Sequence, residues 1–209
     1  MMRAASARQA DAAQAEGATT GLIARHGALM RAIAAQSIAH GMATKRAMPV
    51  DLAHYPPALR PHGASFVTLK RQGRLRGCIG TVTAHRPLAV DIAESAFKAA
   101  FRDPRFKPVA AAELGAISIS VTVLSAPEPM VVAGEAELIG ALRPGVDGLI
   151  IDAGQKRGVF LPAVWDTLPD AGEFVAHLKA KAGLAADEWS PRFRCLRFTA
   201  EDTDMTPER

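Results

Sequence analysis

Residues 75–80 read Leu-Arg-Gly-Cys-Ile-Gly, so a thiol lies between two glycines and two residues after an arginine. The segment is typical of a β-strand, whose side chains point alternately to its two faces. This alternation predicts Leu75 and Ile79 on the core face, together with the intervening glycine, and Arg76 and Cys78 on the opposite face. A fixed positive charge beside a cysteine lowers the pKa of the thiol and favours the reactive thiolate. Cys78 is therefore the candidate catalytic nucleophile.

Glycines and arginines near Cys78 are suited to binding a ligand. Gly77 and Gly80 carry no side chain, so another backbone or a ligand can approach the strand closely. Residues 103–106, Asp-Pro-Arg-Phe, follow a predicted helix and are expected to return to the end of the sheet that holds Cys78. A guanidinium offers planar donors that match a carboxylate or a phosphate, and two of them near the thiol predict an anion clamp. The predicted substrate-binding residues are Arg76, Gly77, Gly80, Asp103 and Arg105.

Cys78 also has a structural interpretation, because most free cysteines serve as small buried apolar side chains. A cysteine nucleophile normally needs a base, and the spacing identifies none. His85 lies seven residues farther along the strand, about 23 Å away if the chain stays extended, and on the opposite face. His62 falls in a connector and His177 on the outer face of a late helix. The six histidines and two cysteines show no metal-ligand spacing, so we expect no metal site.

The positive charge of the chain is concentrated around the Cys78 segment. The whole chain carries a net charge of +4 and has a pI near 9.4. Residues 70–107 contain nine basic and three acidic residues, which gives a local charge of +6. Such an excess is typical of a solvated basic face or of an anion-binding surface, and RNA is one possible anion. The two cysteines fit a reducing cytoplasm, and no apolar run is long enough to cross a membrane.

Hydrophobic periodicity predicts a mixture of helices and strands. Apolar residues recur with helical spacing over 20–40, where Gly41 is the expected stop. Segments 65–69 and 74–83 are predicted to form a hairpin through the turn Gln72-Gly73. Further predicted elements are a helix from Pro87 to Asp103, strands at 117–123, 134–139, 148–151 and 193–198, and a helix at 171–182. This mixture predicts an α+β fold with a mixed or antiparallel sheet flanked by helices.

The predicted elements form one domain over residues 19–200. The preceding segment, 1–18, is rich in alanine and polar residues and lacks the apolar core of a signal peptide, so we expect a flexible tail. Residues 201–209 are expected to form a polar C-terminal tail. No interdomain linker is evident between these limits.

Several short motifs, in order and with the right spacing, carry a resemblance to a known family. They are Phe66-Val67-Thr68-Leu69, Leu75-Arg76-Gly77-Cys78-Ile79-Gly80, Asp103-Pro104-Arg105-Phe106, Glu113-Leu114, Gly145-Val146-Asp147-Gly148-Leu149, Phe160-Leu161-Pro162 and Lys181-Ala182-Gly183-Leu184. Over roughly residues 22–198 the chain resembles the AMMECR domain family, whose bacterial members are called AmmeMemoRadiSam system protein A. The Cys78 motif is the hallmark of that family.

The resemblance implies an α+β fold of two lobes with a cleft between them. It also implies a Memo-like protein and a radical SAM protein as partners, with RNA as a further possibility, and it implies no established reaction. Three functions follow as hypotheses: an enzyme that binds an anionic or carbonyl-bearing substrate at Cys78, a non-catalytic adaptor, and an RNA-binding or RNA-modification accessory protein. The chain has no P-loop, dinucleotide or iron–sulfur motif, so we expect no cofactor of its own, and we expect no membrane or DNA partner.

Overall fold

The computed structural model describes residues 2–190 and 192–204, with side chains described from residue 21 onward. The chain forms two compact units. The first unit comprises the chain up to Leu124 and from Glu201 onward, and the second unit comprises Ser125–Ala200. Helices and antiparallel strand pairs occur in both units, which confirms the predicted α+β class. Within the described residues, no helix combines the length and the apolar character that crossing a membrane requires.

The regular elements are distributed over two sheets with their flanking helices. The α-helices in the described part of the chain are α1 (Met2–Thr44), α2 (Leu88–Phe101), α3 (Glu135–Ala141) and α4 (Ala171–Ala182). The strands there are β1 (His62–Arg71), β2 (Arg74–Gly80), β3 (Arg86–Pro87), β4 (Ile117–Leu124), β5 (Glu128–Met130), β6 (Gly148–Asp152), β7 (Arg157–Phe160), β8 (Arg194–Phe198) and β9 (Ala200–Asp202). The first sheet has the order β2-β1-β4-β9, with β3 beside β1, and the second has the order β5-β8-β6-β7.

Helix α1 is much longer than the predicted segment 20–40. Its backbone includes most of the segment 1–18 that the sequence predicts to be a flexible tail, of which Met1 lies outside the described residues. The prediction that Gly41 ends the helix is wrong. A Cβ at Gly41 would lie 2.5 Å from the ring of Phe97 on helix α2. The missing side chain therefore allows close packing of the two helices and does not terminate the first.

The core of the first unit lies between its sheet and helices α1 and α2. The predicted inward residues of α2 are all buried: Leu88, Ile92, Ala96, Ala99 and Ala100. Strands β1 and β2 form the predicted hairpin, whose turn residues Gln72 and Gly73 have φ values of 52° and 75°. Positive φ at both central residues gives a turn whose twist matches that of the strands. Strand β2, which carries Cys78, lies at one edge of the sheet.

The second unit encloses its own aromatic core. Trp165 stacks on Phe174 with ring centroids 3.8 Å apart, and its indole nitrogen donates to the backbone oxygen of Asp147 at 2.7 Å. Asp147 is itself buried and is paired with Arg143, so its role in this turn is structural, as the sequence suggested. Helix α4 has the predicted bounds, and it ends at Gly183 in the left-handed conformation with φ of 76°.

Two segments differ from their sequence-based predictions. Residues 134–139 were expected to form a strand, but they lie mainly in helix α3, where Leu138 is buried and Glu137 caps the backbone nitrogen of Ala133. At the other end, Glu201 and Asp202 belong to strand β9, although the sequence placed them in a polar tail. The hydroxyl of Thr203 accepts a hydrogen bond from the Val121 nitrogen at 3.0 Å. Residues 205–209 of that predicted tail lie outside the described residues.

Candidate functional site at the edge strand

A β-bulge at Arg76 sets the orientation of the Cys78 motif. Leu69 of β1 pairs with Gly77, whereas the next residue, Lys70, pairs with Leu75, so Arg76 has no cross-strand partner. The extra residue reverses the alternation of faces, and Leu75 is 44% exposed. The prediction that Leu75 shares the core face with Gly77 and Ile79 is therefore wrong. A strict period of two holds only where a strand has no bulge.

The thiol of Cys78 lies on the polar face of the first sheet. The side chain is half-buried, and the Thr68 hydroxyl donates a hydrogen bond to its sulfur at 3.3 Å. Cys78 pairs with Thr68 across β2 and β1, and Thr68 pairs with Ser120 across β1 and β4. Directly opposed residues of antiparallel strands project from the same face. The thiol and two hydroxyls thus form a row of polar side chains across three strands.

The backbone of Cys78 is held by a salt-bridged loop that follows helix α2. The Cys78 nitrogen donates to Oδ2 of Asp103 at 2.9 Å, and Nη2 of Arg105 donates to the Cys78 oxygen at 3.1 Å. These two groups face outward from an edge strand, where they would otherwise lack partners. Arg105 also donates to both carboxylate oxygens of Asp103, at 2.9 and 2.7 Å. The loop therefore fixes the position of Cys78 and covers the strand edge at this residue.

This ion pair keeps both of its members charged. Hydrogen bonding from Arg105 holds the pKa of the Asp103 carboxyl well below its usual range, with further help from the backbone nitrogens of Cys78 and Arg105. In return, the hydrogen bond to Asp103 raises the pKa of Arg105. The Asp103 side chain is 1% exposed, whereas that of Arg105 is 53% exposed. A buried carboxylate is thus neutralised by a cation at the surface.

A second ion pair engages Arg76, with a partner that the spacing of the sequence does not mark as a site residue. Nε and Nη2 of Arg76 donate to the two carboxylate oxygens of Glu113 at 2.9 and 3.0 Å. Glu113 lies in a short 3₁₀-helix, Ala111–Ala116, and also accepts from the Ala110 nitrogen. Hydrogen bonding from Arg76 lowers the pKa of Glu113 to about 2, and the same bond raises the pKa of Arg76. Bidentate pairing of this kind fixes geometry as well as charge.

The structure brings the predicted site residues together, with the two arginines already facing carboxylates. Arg76 pairs with Glu113 and Arg105 pairs with Asp103, and both guanidinium groups lie over the ring of Phe106, at 5.9 and 5.5 Å. Binding of an external anion by these arginines remains a prediction. Their visible contacts position the loop and the bulge around the thiol.

The two glycines of the motif admit neighbouring backbone. A Cβ at Gly77 would lie 2.2 Å from the carbonyl oxygen of Ala99 on helix α2, and one at Gly80 would lie 2.3 Å from the oxygen of Ser65. Real Cβ atoms do not approach oxygen so closely, so both positions require glycine for packing. A ligand-binding role for either glycine stays a prediction.

A buried carboxylate that the sequence does not mark as a site residue binds Ser65, the residue against whose carbonyl oxygen Gly80 packs. Asp91 on helix α2 is fully buried and accepts from the nitrogen and the hydroxyl of Ser65 at 2.9 and 2.8 Å. Arg86 approaches its other oxygen at 3.5 Å.

The described residues contain no group of three or more His, Cys, Asp or Glu side chains that could hold a metal ion. His85, the nearest histidine in sequence, contacts Thr83 and Arg86.

Fold and site together define a two-unit α+β protein that presents a cysteine on an edge strand next to two carboxylate–arginine pairs. The family model for AMMECR1 matches residues 31–203. The chain belongs to the AMMECR1 family.

Relatives occur among archaea. A protein of Methanothermobacter thermautotrophicus is 42% identical over 158 residues, which cover 74% of this chain and 80% of that protein. A protein of Thermofilum pendens is 35% identical and covers 86% of this chain and 90% of its own length. The crystal structure of an uncharacterized protein from Pyrococcus horikoshii has a TM-score of 0.76 and 32% identity, and the match covers 85% of this chain and 90% of that one.

Proposed function

We propose that the protein is a thiol-dependent enzyme in which Cys78 attacks a carbonyl-bearing substrate. One observation supports this proposal above the others. The thiol is half-buried on a polar sheet face, and the backbone on both sides of its Cα is held by Asp103 and Arg105. A nucleophile held in one position reacts with less loss of entropy than a free one. A cysteine that only fills space has no need of such a fixed, polar setting.

The chemical step is acyl transfer to sulfur. The Cys78 sulfur attacks the carbonyl carbon, a carbon–sulfur bond forms, and the bond to the leaving group breaks. The thiol proton departs with the leaving group, so a thioester on Cys78 and a protonated leaving group result. The Thr68 hydroxyl, which donates to the sulfur at 3.3 Å, is the donor that we assign to the oxyanion that develops on the carbonyl. The paired Arg76 and Arg105 act as positioning residues.

The same proposal includes partners. A Memo-like protein and a radical SAM protein, which the family resemblance implies, would supply or consume the acylated species in a modification pathway. The support for these partners is the resemblance alone, and pull-down of the full chain with each purified partner tests it.

Acetylation by p-nitrophenyl acetate tests the assigned nucleophile. We expect the intact mass to rise by one acetyl group, with the modified peptide containing Cys78. Cys78→Ala should remove this product, while Cys195→Ala, the matched control, should retain it. A product that survives in Cys78→Ala, or an unmodified wild-type protein after prolonged incubation, contradicts the proposal. Thermal melting of each variant establishes that loss of the product does not reflect unfolding.

RNA binding is a second candidate function, favoured by the hairpin that leads to Cys78. Lys70, Arg71 and Arg74 at its tip are all exposed. Contacts between such cations and phosphates weaken steeply with salt, because bound counterions are released. This function is supported if the wild-type protein retains RNA at low salt but not at moderate salt, and if Lys70→Gln does not retain it. Equal retention by wild type and Lys70→Gln would exclude the hairpin as the binding element.

The adaptor hypothesis makes the opposite prediction for the cysteine. The exposed Leu75 beside the site offers an apolar contact to a partner protein. An adaptor tolerates Cys78→Ala with little effect and loses its complex in Leu75→Asp. The enzyme hypothesis predicts the reverse order of sensitivity.

A further inference from the structure

A cavity separate from the cysteine site opens where helices α1 and α2 end. It has a volume of about 250 Å³ and is lined by Lys45, Phe97, Phe101, Arg102 and Pro108. Two aromatic rings and a proline form its apolar lining. Two cations contribute the only charged side chains among these five. Such a combination of apolar surface with a few charged groups is typical of a small-molecule site.

The aromatic surface is fixed by the packing of the two helices. The rings of Phe97 and Phe101 lie one helical turn apart, with centroids 5.3 Å apart and planes tilted by 47°. A Cβ at Gly41 would lie 2.5 Å from the first ring and 2.8 Å from the second. Helix α1 therefore packs against both rings and holds them in place. A flat apolar group can lie against such a surface, where aromatic contacts contribute beyond simple burial.

Both cations occupy the ends of helices and retain donors. Lys45 follows α1 in the left-handed conformation, with φ of 62°, and within the part of the chain that the structure describes its ammonium donates once, to the Met42 oxygen at 3.1 Å. An ammonium has three donors, so two remain. Arg102 follows α2 directly and is exposed. Among the described residues, neither cation forms a salt bridge of the kind that occupies Arg76 and Arg105.

The acid nearest in sequence does not neutralise this cavity. Asp103 follows Arg102, but its carboxylate receives Arg105 and the Cys78 nitrogen instead. Pro108, on the cavity wall, is held through its backbone oxygen by Nη2 of Arg76 at 3.4 Å. The ion pairs that position the thiol thus also shape the wall of the cavity and leave its two cations available.

We propose that this cavity binds a small anion with a flat, aromatic body, such as an aryl phosphate or aryl carboxylate. The ring of the ligand packs against Phe97 and Phe101, while its anionic group lies between Lys45 and Arg102. A volume of about 250 Å³ suits a single ring with one charged group. This site is additional to the thiol site and does not depend on the reactivity of Cys78.

Titration of ¹⁵N-labelled full-length protein with phenyl phosphate tests the proposal by NMR. We expect saturable shifts of the backbone amides of Lys45, Phe97, Phe101 and Arg102. Lys45→Met and Arg102→Met should each weaken binding about two- to five-fold, the range for a partly exposed charge contact. Lys70→Met is the matched control, because Lys70 is an exposed cation that does not line the cavity, and it should bind like wild type.

Two further probes separate the contributions of ring and charge. Benzyl alcohol lacks the anion, and inorganic phosphate lacks the ring, so each should bind more weakly than phenyl phosphate. Absence of saturable shifts at the cavity, equal affinity for inorganic phosphate, or equal weakening by Lys70→Met and Lys45→Met would each overturn the proposal. Cys78→Ala should bind phenyl phosphate normally, so the failure of this site and the failure of the proposed enzyme function are distinguishable.

Discussion

The two cysteines of the chain have similar sequence neighbours and opposite environments. Arg76 lies two residues before Cys78, and Arg197 lies two residues after Cys195. Yet Cys78 is half-buried on the edge strand β2, whereas Cys195 is buried in β8, an inner strand of the second sheet. Burial raises the pKa of the Cys195 thiol to about 11. The face of the sheet on which each cysteine lies, polar for Cys78 and packed into the core of the second unit for Cys195, therefore distinguishes the two thiols more than the residues beside them do.

The largest expected contrast is in alkylation. Treatment of native protein with iodoacetamide should modify Cys78 at least about 10³-fold faster than Cys195, because a buried thiol reacts through rare unfolded molecules. Peptide mass spectrometry at several times gives both rates in one sample. In denaturant the two rates should converge, which controls for intrinsic reactivity. Similar native rates at the two cysteines would contradict the comparison of their environments.

A smaller but still severe effect is expected from Gly77→Ala. The new Cβ would lie 2.2 Å from the Ala99 carbonyl oxygen, and neither backbone can shift cheaply. We expect the free energy of unfolding to fall by about 3 kcal/mol, the upper range for overpacking. Gly115→Ala is the matched control, because a methyl group at that position would have no atom within 4 Å, and it should be nearly neutral. Equal stability of the two variants in urea would show that Gly77 does not serve packing.

The same comparison explains which features were predictable from the sequence. Helix α4 and the hairpin turn were predictable because a glycine stop and a two-residue turn are local signals. The exposure of Leu75 was not, because a bulge at the following residue leaves no mark in the alternation. Glu113 and Asp91 could not be predicted as site residues for a related reason. Their partners, Arg76 and Ser65, lie 37 and 26 residues away, and spacing carries no information on such contacts.

Asp103→Asn tests the loop that holds Cys78. The amide keeps the shape of the side chain but loses the charge-assisted bonds to Arg105 and to the Cys78 nitrogen. We expect a loss of about 1.5–3 kcal/mol in the free energy of unfolding, the range for hydrogen bonds to charged groups. The rate at which Cys78 is alkylated should also change, while the rate at Cys195 should not. Asp187→Asn, at an exposed carboxylate of the second unit, is the control and should leave both readouts unaltered.

The smallest expected effect is a pH dependence at Glu113. Its pKa falls from an ordinary value of 4.5 to about 2 in the folded protein, chiefly through the hydrogen bond from Arg76. A folded-state pKa below the unfolded one means that the pair stabilises the fold fully above pH 4.5 and that this stabilisation is lost between pH 4.5 and 2. Because both side chains of the pair keep some exposure to solvent, 15% each, we expect Glu113→Gln to cost only about 1 kcal/mol at neutral pH. Urea unfolding of wild type and Glu113→Gln should therefore give curves that differ at pH 7 and converge as the pH falls below 4.5. A difference that persists unchanged at low pH would mean that the Glu113 hydrogen bonds, and not its charge, stabilise the bulge beside Cys78.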